Sequence, residues 1–216
     1  MELKELSVYV CGSLEPTLIT EEFVERLAKL KKICDHFHLS LQSGCDETLK
    51  RMNRRYTTEE FERGVQLLRR AFENATLTTD IIVGFPGETE EEFNTTYKFL
   101  EKIKFYKMHV FKYSQRKGTR AAVMPNQVDG SLKEERSRKL IALSNKNEEE
   151  YNRSYIGKSV EVLFEDAHVE VGRTYRKGHT TNYIVVKVET EEDWENEIKK
   201  VKIVGVDGLE LLGELG

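Results

Sequence analysis

Cysteine, proline and tryptophan are scarce in this 216-residue chain, at three, three and one. Cys11, Cys34 and Cys45 are odd in number and lie 23 and 11 residues apart, a spacing that suits neither a disulfide framework nor a CxxC metal site. With few prolines and 14 glycines, the chain is neither collagenous nor of low complexity. No apolar run approaches the roughly 18 residues of a membrane helix. The opening MELKELSVYVCG has no basic segment followed by an apolar core, so no signal peptide and no membrane partner are expected. A basic excess is also missing. Residues 1–150 hold 25 basic and 25 acidic side chains, and residues 151–216 hold 9 and 13, so the net charge of −4 sits in the tail. A dedicated nucleic-acid binder carries a basic excess, so any such role must rest on local patches. What remains, 38% apolar and 33% charged, is a globular cytoplasmic protein with chain enough for one or two cores.

The first 150 residues alternate between two periods. Leu6, Val8 and Val10 alternate like a strand, as do Phe37, Leu39 and Leu41. Ile81-Ile82-Val83 is continuously apolar, as in a strand buried on both faces. Met108, Val110, Phe111 and Tyr113 make a fourth strand. Between them run helical stripes: Phe23, Leu27, Leu30 and Cys34; Phe61, Val65, Leu68 and Phe72; Phe93, Tyr97 and Leu100. Thr57 with Glu60 and Thr89 with Glu92 read as capping boxes, and Ser131 with Glu134 opens a further helix to about Tyr151. Strand and helix repeat four times, which implies parallel strands with crossover helices: an α/β unit over residues 1–152.

From there the pattern is β. Segments at 160–164, 169–174, 182–188, 198–204 and 209–212, separated by Gly172, Gly178 and Asp207-Gly208, predict a small all-β, OB-like barrel over residues 153–216. The acidic stretch 189–197 around Trp194 reads as an exposed loop.

Ligands of parallel α/β sheets meet the carboxyl ends of the strands. Those ends are polar and glycine-rich here: Gln42-Ser43-Gly44, Gly84-Phe85-Pro86-Gly87-Glu88-Thr89, and Tyr113 to Thr119. Asp80 is placed at the start of the third strand. Glu88, Glu90, Glu91 and Glu92 crowd a helix start and would repel phosphate, which favours a cationic or neutral ligand rich in hydroxyls and amines. In Lys50 to Tyr56, the basic run is either a solvated helix face or, through Arg54 or Arg55, a grip on a carboxylate or an RNA backbone. His36 and His38 share a strand face but lack a third ligand, so they and His109 read as packed residues, and no metal site is expected. In the tail, Arg173, Tyr175, Arg176, Lys177, His179, Asn182 and Tyr183 mix aromatics with cations, either as an RNA-binding surface or as an ordinary exposed hairpin.

At these turns the chain resembles a known family. HFHLSLQSGCDETLKRMNRRYTTEEF (36–61), TTDIIVGFPGETEEEF (78–93) and MHVFKYSQRKGTRAA (108–122) resemble the radical S-adenosylmethionine (SAM) methylthiotransferases, above all the threonylcarbamoyladenosine tRNA branch. GHTTNYIVVKV (178–188) resembles their terminal TRAM domain. The resemblance implies the C-terminal half of a partial (β/α) barrel followed by an OB-like module. It implies addition of a methylthio group to C2 of the modified adenosine near the tRNA anticodon, with SAM, [4Fe-4S] clusters and an electron donor such as flavodoxin or ferredoxin. Gln42, Ser43, Arg55, Asp80 and Ser114 become the expected SAM-side residues; Arg173, Tyr175, Arg176, Lys177, His179 and Tyr183 the expected RNA-side residues; no catalytic residue is assigned. The family's CxxxCxxC cluster loop is absent from these 216 residues, and none of the three cysteines has the spacing to replace it. The chain therefore reads as a fragment without the cluster-binding part, opening at the third barrel strand (8–15), and inactive alone. Two alternatives stand: an RNA-binding remnant without catalysis, and a sister enzyme acting on isopentenyladenosine tRNA or on ribosomal protein.

Overall fold

The computed structural model describes residues 9–170 and 172–215. Its first unit is a four-stranded sheet of β1 (Tyr9–Leu14), β2 (Ile33–Gln42), β3 (Thr76–Val83) and β4 (Lys107–Lys112), in that spatial order and parallel throughout. The crossovers are α1 (Glu21–Ala28), α2 (Asp46–Arg51) with α3 (Thr58–Ala71), and α4 (Glu90–Ile103). Alternation along each strand divides the two faces. Phe37, Leu39, Leu41, Leu77, Ile81 and Met108 point into a core closed by Val65, Leu68, Phe93 and Leu100 of the helices. The opposite face carries His36, His38, Thr76, Thr78, Asp80 and His109. Both expected capping boxes form, with Thr57 and Thr89 each accepting the backbone N–H of the glutamate three residues on.

Several local expectations are corrected. Leu6 and Val8 lie outside the described residues. The first helical stripe is too long: α1 ends at Ala28, Leu30 is exposed in the lysine-rich turn that follows, and Cys34 is already in β2. The apolar spacing ran on through a turn by coincidence. The helix α5 (Gly130–Arg153) is capped not by Ser131 but by Asp129, whose carboxylate accepts both the N–H and the hydroxyl of Ser131. Glu134 is thereby free to pair with Lys112. Asp80 lies in the middle of β3, with two partnered strands beside it, not at its start.

After α5 the chain forms a closed barrel of β5 (Ser159–Glu170), β6 (Arg173–Thr180), β7 (Val185–Glu189), β8 (Ile198–Asp207) and β9 (Glu210–Leu215), in the order β5-β6-β7-β9-β8. All contacts are antiparallel except β7 with β9. Its core is Val162, Phe164, Ile184, Val186, Val201, Ile203 and Leu211. The segment expected as a strand over 169–174 is instead the tip of the β5–β6 hairpin, turning at Gly172 with φ +77°. Gly178 is no turn at all. It sits inside β6 where β5 passes so close that a Cβ would lie 2.1 Å from the Leu163 carbonyl oxygen. Trp194 is not exposed with its acidic neighbours: its ring is 2% accessible, packs edge-on to Phe164, and its N–H is taken by Glu192.

The two units lock together. Asn182, in the β6–β7 turn, donates to Tyr155 Oη at 2.7 Å and to the Asn74 carbonyl at 2.9 Å, while its own carbonyl accepts from Thr76. Tyr183 adopts φ +67° and places its ring between His36 (4.9 Å) and His179 (4.5 Å, stacked). From α5, Asn152 donates to the Leu209 carbonyl.

Candidate functional site

Past the carboxyl ends of β2, β3 and β4 lies a cleft of about 450 Å³. Gln42, Asp80 and Ser114 line it together, joined by Ile82, Phe111 and Tyr113 and by Arg116 and Thr119 of the following loop. Three of the five residues expected on the SAM side thus share one cavity. The other two do not line it. Ser43 is buried behind the cleft, its hydroxyl 3.2 Å from Thr96 and accepting the Cys45 N–H. Arg55 is exposed in the turn between α2 and α3. Gln42 is held at φ +70°, a left-handed conformation costly for a residue with a Cβ, and the neighbouring Tyr56 hydroxyl donates to the Leu41 carbonyl. Asp80 faces the His38 ring at 3.3 Å. Phe111 of β4 and Tyr113 just beyond it are not among the expected SAM-side residues; Tyr113 reads in sequence only as part of a strand end, and Phe111 could have been found from its two-residue spacing to His109, which pairs with Asp80. The buried Tyr113 hydroxyl has no hydrogen-bond partner, an unsatisfied donor at the cleft wall.

The acidic helix start turns out to be a structural device. Glu88 accepts from Arg136 at 2.7 Å and from the Gly84 N–H at 2.9 Å; Glu90 takes the other end of the same guanidinium. Glu92 is bound by both terminal nitrogens of Arg51 while it caps α4. Burial raises the Glu88 carboxyl above its usual range, opposed by Gly84 and Arg136. The carboxylates read as repelling phosphate are therefore mostly neutralised within the chain, and so is Arg51 of the basic run.

On the non-helical face of the sheet, His36 and His38 point the same way, their Nδ1 atoms against the hydroxyls of Thr76 (2.8 Å) and Thr78 (3.0 Å). Burial, then the neighbouring His38, His179 and His109, lowers the His36 pKa to about 4. His109 is not packed but exposed, its ring 5.8 Å from His38. Among the described residues no group of three or more His, Cys, Asp or Glu could hold a metal ion. The cysteines do not fit an iron–sulfur cluster. Cys34 and Cys45 are buried. Burial raises the Cys11 and Cys34 thiols, with Asp35 adding to the effect at Cys34, whereas cluster ligands must be thiolates.

The residues expected on the RNA side split. Tyr175, Lys177 and His179 alternate with Arg176, so they face opposite sides of β6. Each basic residue meets an acid: Arg173 with Glu189, Arg176 with Asp193 and Lys177 with Glu210, while the His179 ring lies 2.8 Å from a Glu165 oxygen. The acidic 189–197 segment thus lies directly against this patch. Tyr175 is covered by Lys187, whose ammonium sits 5.1 Å from the ring. Tyr183 belongs to the contact between the units.

Residues 1–100 match the Radical SAM superfamily. The chain is 44% identical over 194 residues to the threonylcarbamoyladenosine tRNA methylthiotransferase of Bacillus subtilis, covering 89% of the chain and 43% of that protein. The chain is related to the tRNA methylthiotransferases. It is 44% identical over 198 residues to a probable threonylcarbamoyladenosine tRNA methylthiotransferase of Methanocaldococcus jannaschii (92% of the chain, 44% of that protein). With the tRNA-2-methylthio-N(6)-dimethylallyladenosine synthase of Alkaliphilus oremlandii it shares 39% over 205 residues (93% and 42%). The chain therefore spans less than half the length of these relatives. Among solved structures, coproporphyrinogen III oxidase of Escherichia coli, a radical SAM enzyme, aligns with 63% of the chain and 32% of its own at a TM-score of 0.53 and 18% identity, a likeness of fold alone. Among the described residues no helix is long and apolar enough to cross a membrane.

Proposed function

We propose that this chain is the substrate- and SAM-facing C-terminal part of a tRNA methylthiotransferase that acts on N6-threonylcarbamoyladenosine beside the anticodon. The observation that carries the reading is the convergence of Gln42, Asp80 and Ser114 on one cleft at the strand ends, in a chain 44% identical to the Bacillus subtilis enzyme of that name. SAM fits the donor set. Asp80, Gln42 and Ser114 would hold its ammonium and ribose hydroxyls, and the unpartnered Tyr113 hydroxyl could supply one more hydrogen bond. When bound, SAM supplies the methyl group and, in radical enzymes, a deoxyadenosyl fragment. The three cysteines of this chain do not fit an iron–sulfur cluster. The complete enzyme would take electrons from a flavodoxin- or ferredoxin-type donor in the cytoplasm. The 1-2-3-5-4 strand order of the barrel supports an OB-like, TRAM-type module that shares the RNA surface.

The test is a hybrid in which this chain replaces the matching part of the Bacillus subtilis relative, expressed in cells lacking that enzyme. Mass spectrometry of tRNA nucleosides should show the methylthio group restored on threonylcarbamoyladenosine, and an Asp80→Ala hybrid should lose it at least about tenfold. A soluble hybrid that modifies only dimethylallyladenosine, or nothing, overturns the assignment.

A further inference from the structure

Between Glu101 and Asp129 the chain has no acidic residue but seven lysines and arginines. Four of them are neutralised by acids from elsewhere: Lys102 by Glu62, Lys104 by Glu150, Lys107 by Glu148 and Lys112 by Glu134. The other three, Arg116, Lys117 and Arg120, are exposed and form no ion pair among the described residues. They sit together on the loop after β4, whose first turn forms one wall of the cleft.

This loop is braced. Gly118 supplies the turn at φ +86°. The Thr119 hydroxyl donates to the Arg116 carbonyl at 2.8 Å and accepts the Ala122 N–H. Gln115 donates to the Ala122 carbonyl, and Gln127 spans the Ala121 and Met124 carbonyls. Three cations are thus presented on a fixed backbone, so less ordering entropy is lost when an anion arrives. Beside them Phe111 is 54% exposed on the cleft wall, an aromatic face with nothing covering it.

We infer that the 116–120 loop grips the phosphodiester backbone of a single-stranded RNA loop at the mouth of the cleft, and that Phe111 is the surface on which one of its bases stacks. The inference rests on the tRNA reading above and gives it a location. Unpaired cations next to an open ring are the elements by which proteins hold unstacked RNA. SAM does not account for all three: its single carboxylate could take one cation at the cleft wall, which leaves the other two without a partner. The β6 hairpin of the barrel is the weaker candidate for the grip. Its cations already have acidic partners, so phosphate must displace a carboxylate at each one, and little net counterion release follows.

The experiment is fluorescence anisotropy of the full 216-residue chain with a labelled hairpin RNA carrying an adenosine-containing loop, from about 50 to about 200 mM salt. Replacing Arg116, Lys117 and Arg120 together by alanine should weaken binding by about tenfold to a hundredfold at the low end. It should also reduce the log–log salt slope by about two, at roughly 0.7 per single-strand phosphate. Phe111→Ala should weaken binding about tenfold with the slope unchanged. Arg173→Ala, Arg176→Ala and Lys177→Ala combined should lose less affinity and less slope than the loop variant. Thermal melts confirm folding, and the single exposed change Lys117→Glu gives the same answer should the triple variant melt early. If the loop variants bind like the parent while the barrel variant loses affinity and slope, the grip is in the barrel and the inference falls, with the tRNA reading intact. If the parent chain does not bind the hairpin at all, both fall.

Discussion

Arg136 is 1% exposed, yet its charge is held from three sides: Glu88 at 2.7 Å, Glu90 at 3.2 Å, and the Phe93 ring with its centroid 5.2 Å away. Through Glu88 this guanidinium also fixes the Gly84 N–H, and so the whole turn from β3 into α4. Removing one partner of a buried pair strands the other charge, at a cost of about 3–5 kcal/mol. Arg136→Met should therefore lower the urea-unfolding free energy by about that much. The double change Arg136→Met with Glu88→Gln should recover part of the loss, because no bare charge remains. A single variant within about 1 kcal/mol of the parent would show that water reaches the pair. This arrangement was illegible in the sequence, because the partners stand 48 residues apart and no local rule joins them. Read along the chain, four glutamates at a helix start resembled a site that rejects anions; in space, Glu88, Glu90 and Glu92 answer to two arginines. That Gln42 and Ser114 would share a cleft was legible for the opposite reason: strand ends of a parallel sheet open at one edge, so position along the chain is enough, whereas Asp80, expected at a strand start, reaches the same cleft from the middle of β3.

The elements divide in the same way. Capping boxes at Thr57 and Thr89 are local chemistry over three residues, and both form as their spacing predicts. Strands β2 and β4 follow from alternation, and β3 from its continuous apolar run. Gly178 shows where a local reading fails. Between polar residues it resembles a turn, but it is needed in mid-strand because β5 crosses β6 at close range, and that crossing depends on barrel closure. Its substitution distinguishes the two roles. Gly178→Ala should destabilise the barrel by about 3 kcal/mol, since backbone at 2.1 Å cannot yield as a side chain would. Gly172→Ala, at the hairpin tip with open space but φ +77°, should cost about 1 kcal/mol. Denaturant titration followed by Trp194, the single tryptophan and part of the barrel core, reads both. Equal effects would mean that the β5–β6 crossing relaxes.

At the scale of the molecule, the contact between the sheet unit and the barrel is made of groups that titrate. His36 from β2 has the Thr76 hydroxyl on its Nδ1 and the Tyr183 ring on its face; His38, His109 of β4 and His179 of β6 are its positive neighbours when protonated. Asp80 and Glu165 face His38 and His179, respectively. The tail reads in sequence as a separate unit, and this contact could not be foreseen. Asn182 and Tyr183 bear no pattern that points to residues more than 100 positions earlier. The consequence for stability follows from linkage. With His36 near 4 in the folded chain and 6.5 unfolded, the unfolded state binds more protons between those values. Stability from this group is therefore present above pH 6.5 and is lost as pH falls towards 4. Its size is about 1–3 kcal/mol, reduced from the full linkage value because the ring is partly solvated. Glu88 and Glu148 work in the other direction, their raised carboxyls favouring the folded state as pH falls towards their folded values. The His36 contribution must accordingly be read as a difference. Asparagine at this position keeps a hydrogen-bonding group for Thr76 and cannot titrate. Urea midpoints at pH 7 and pH 5 should fall further in the parent than in His36→Asn, with the Trp194 signal reporting the barrel. Equal falls would mean that the units separate before His36 takes up its proton, so that the ring titrates in water and its burial contributes nothing to the pH dependence.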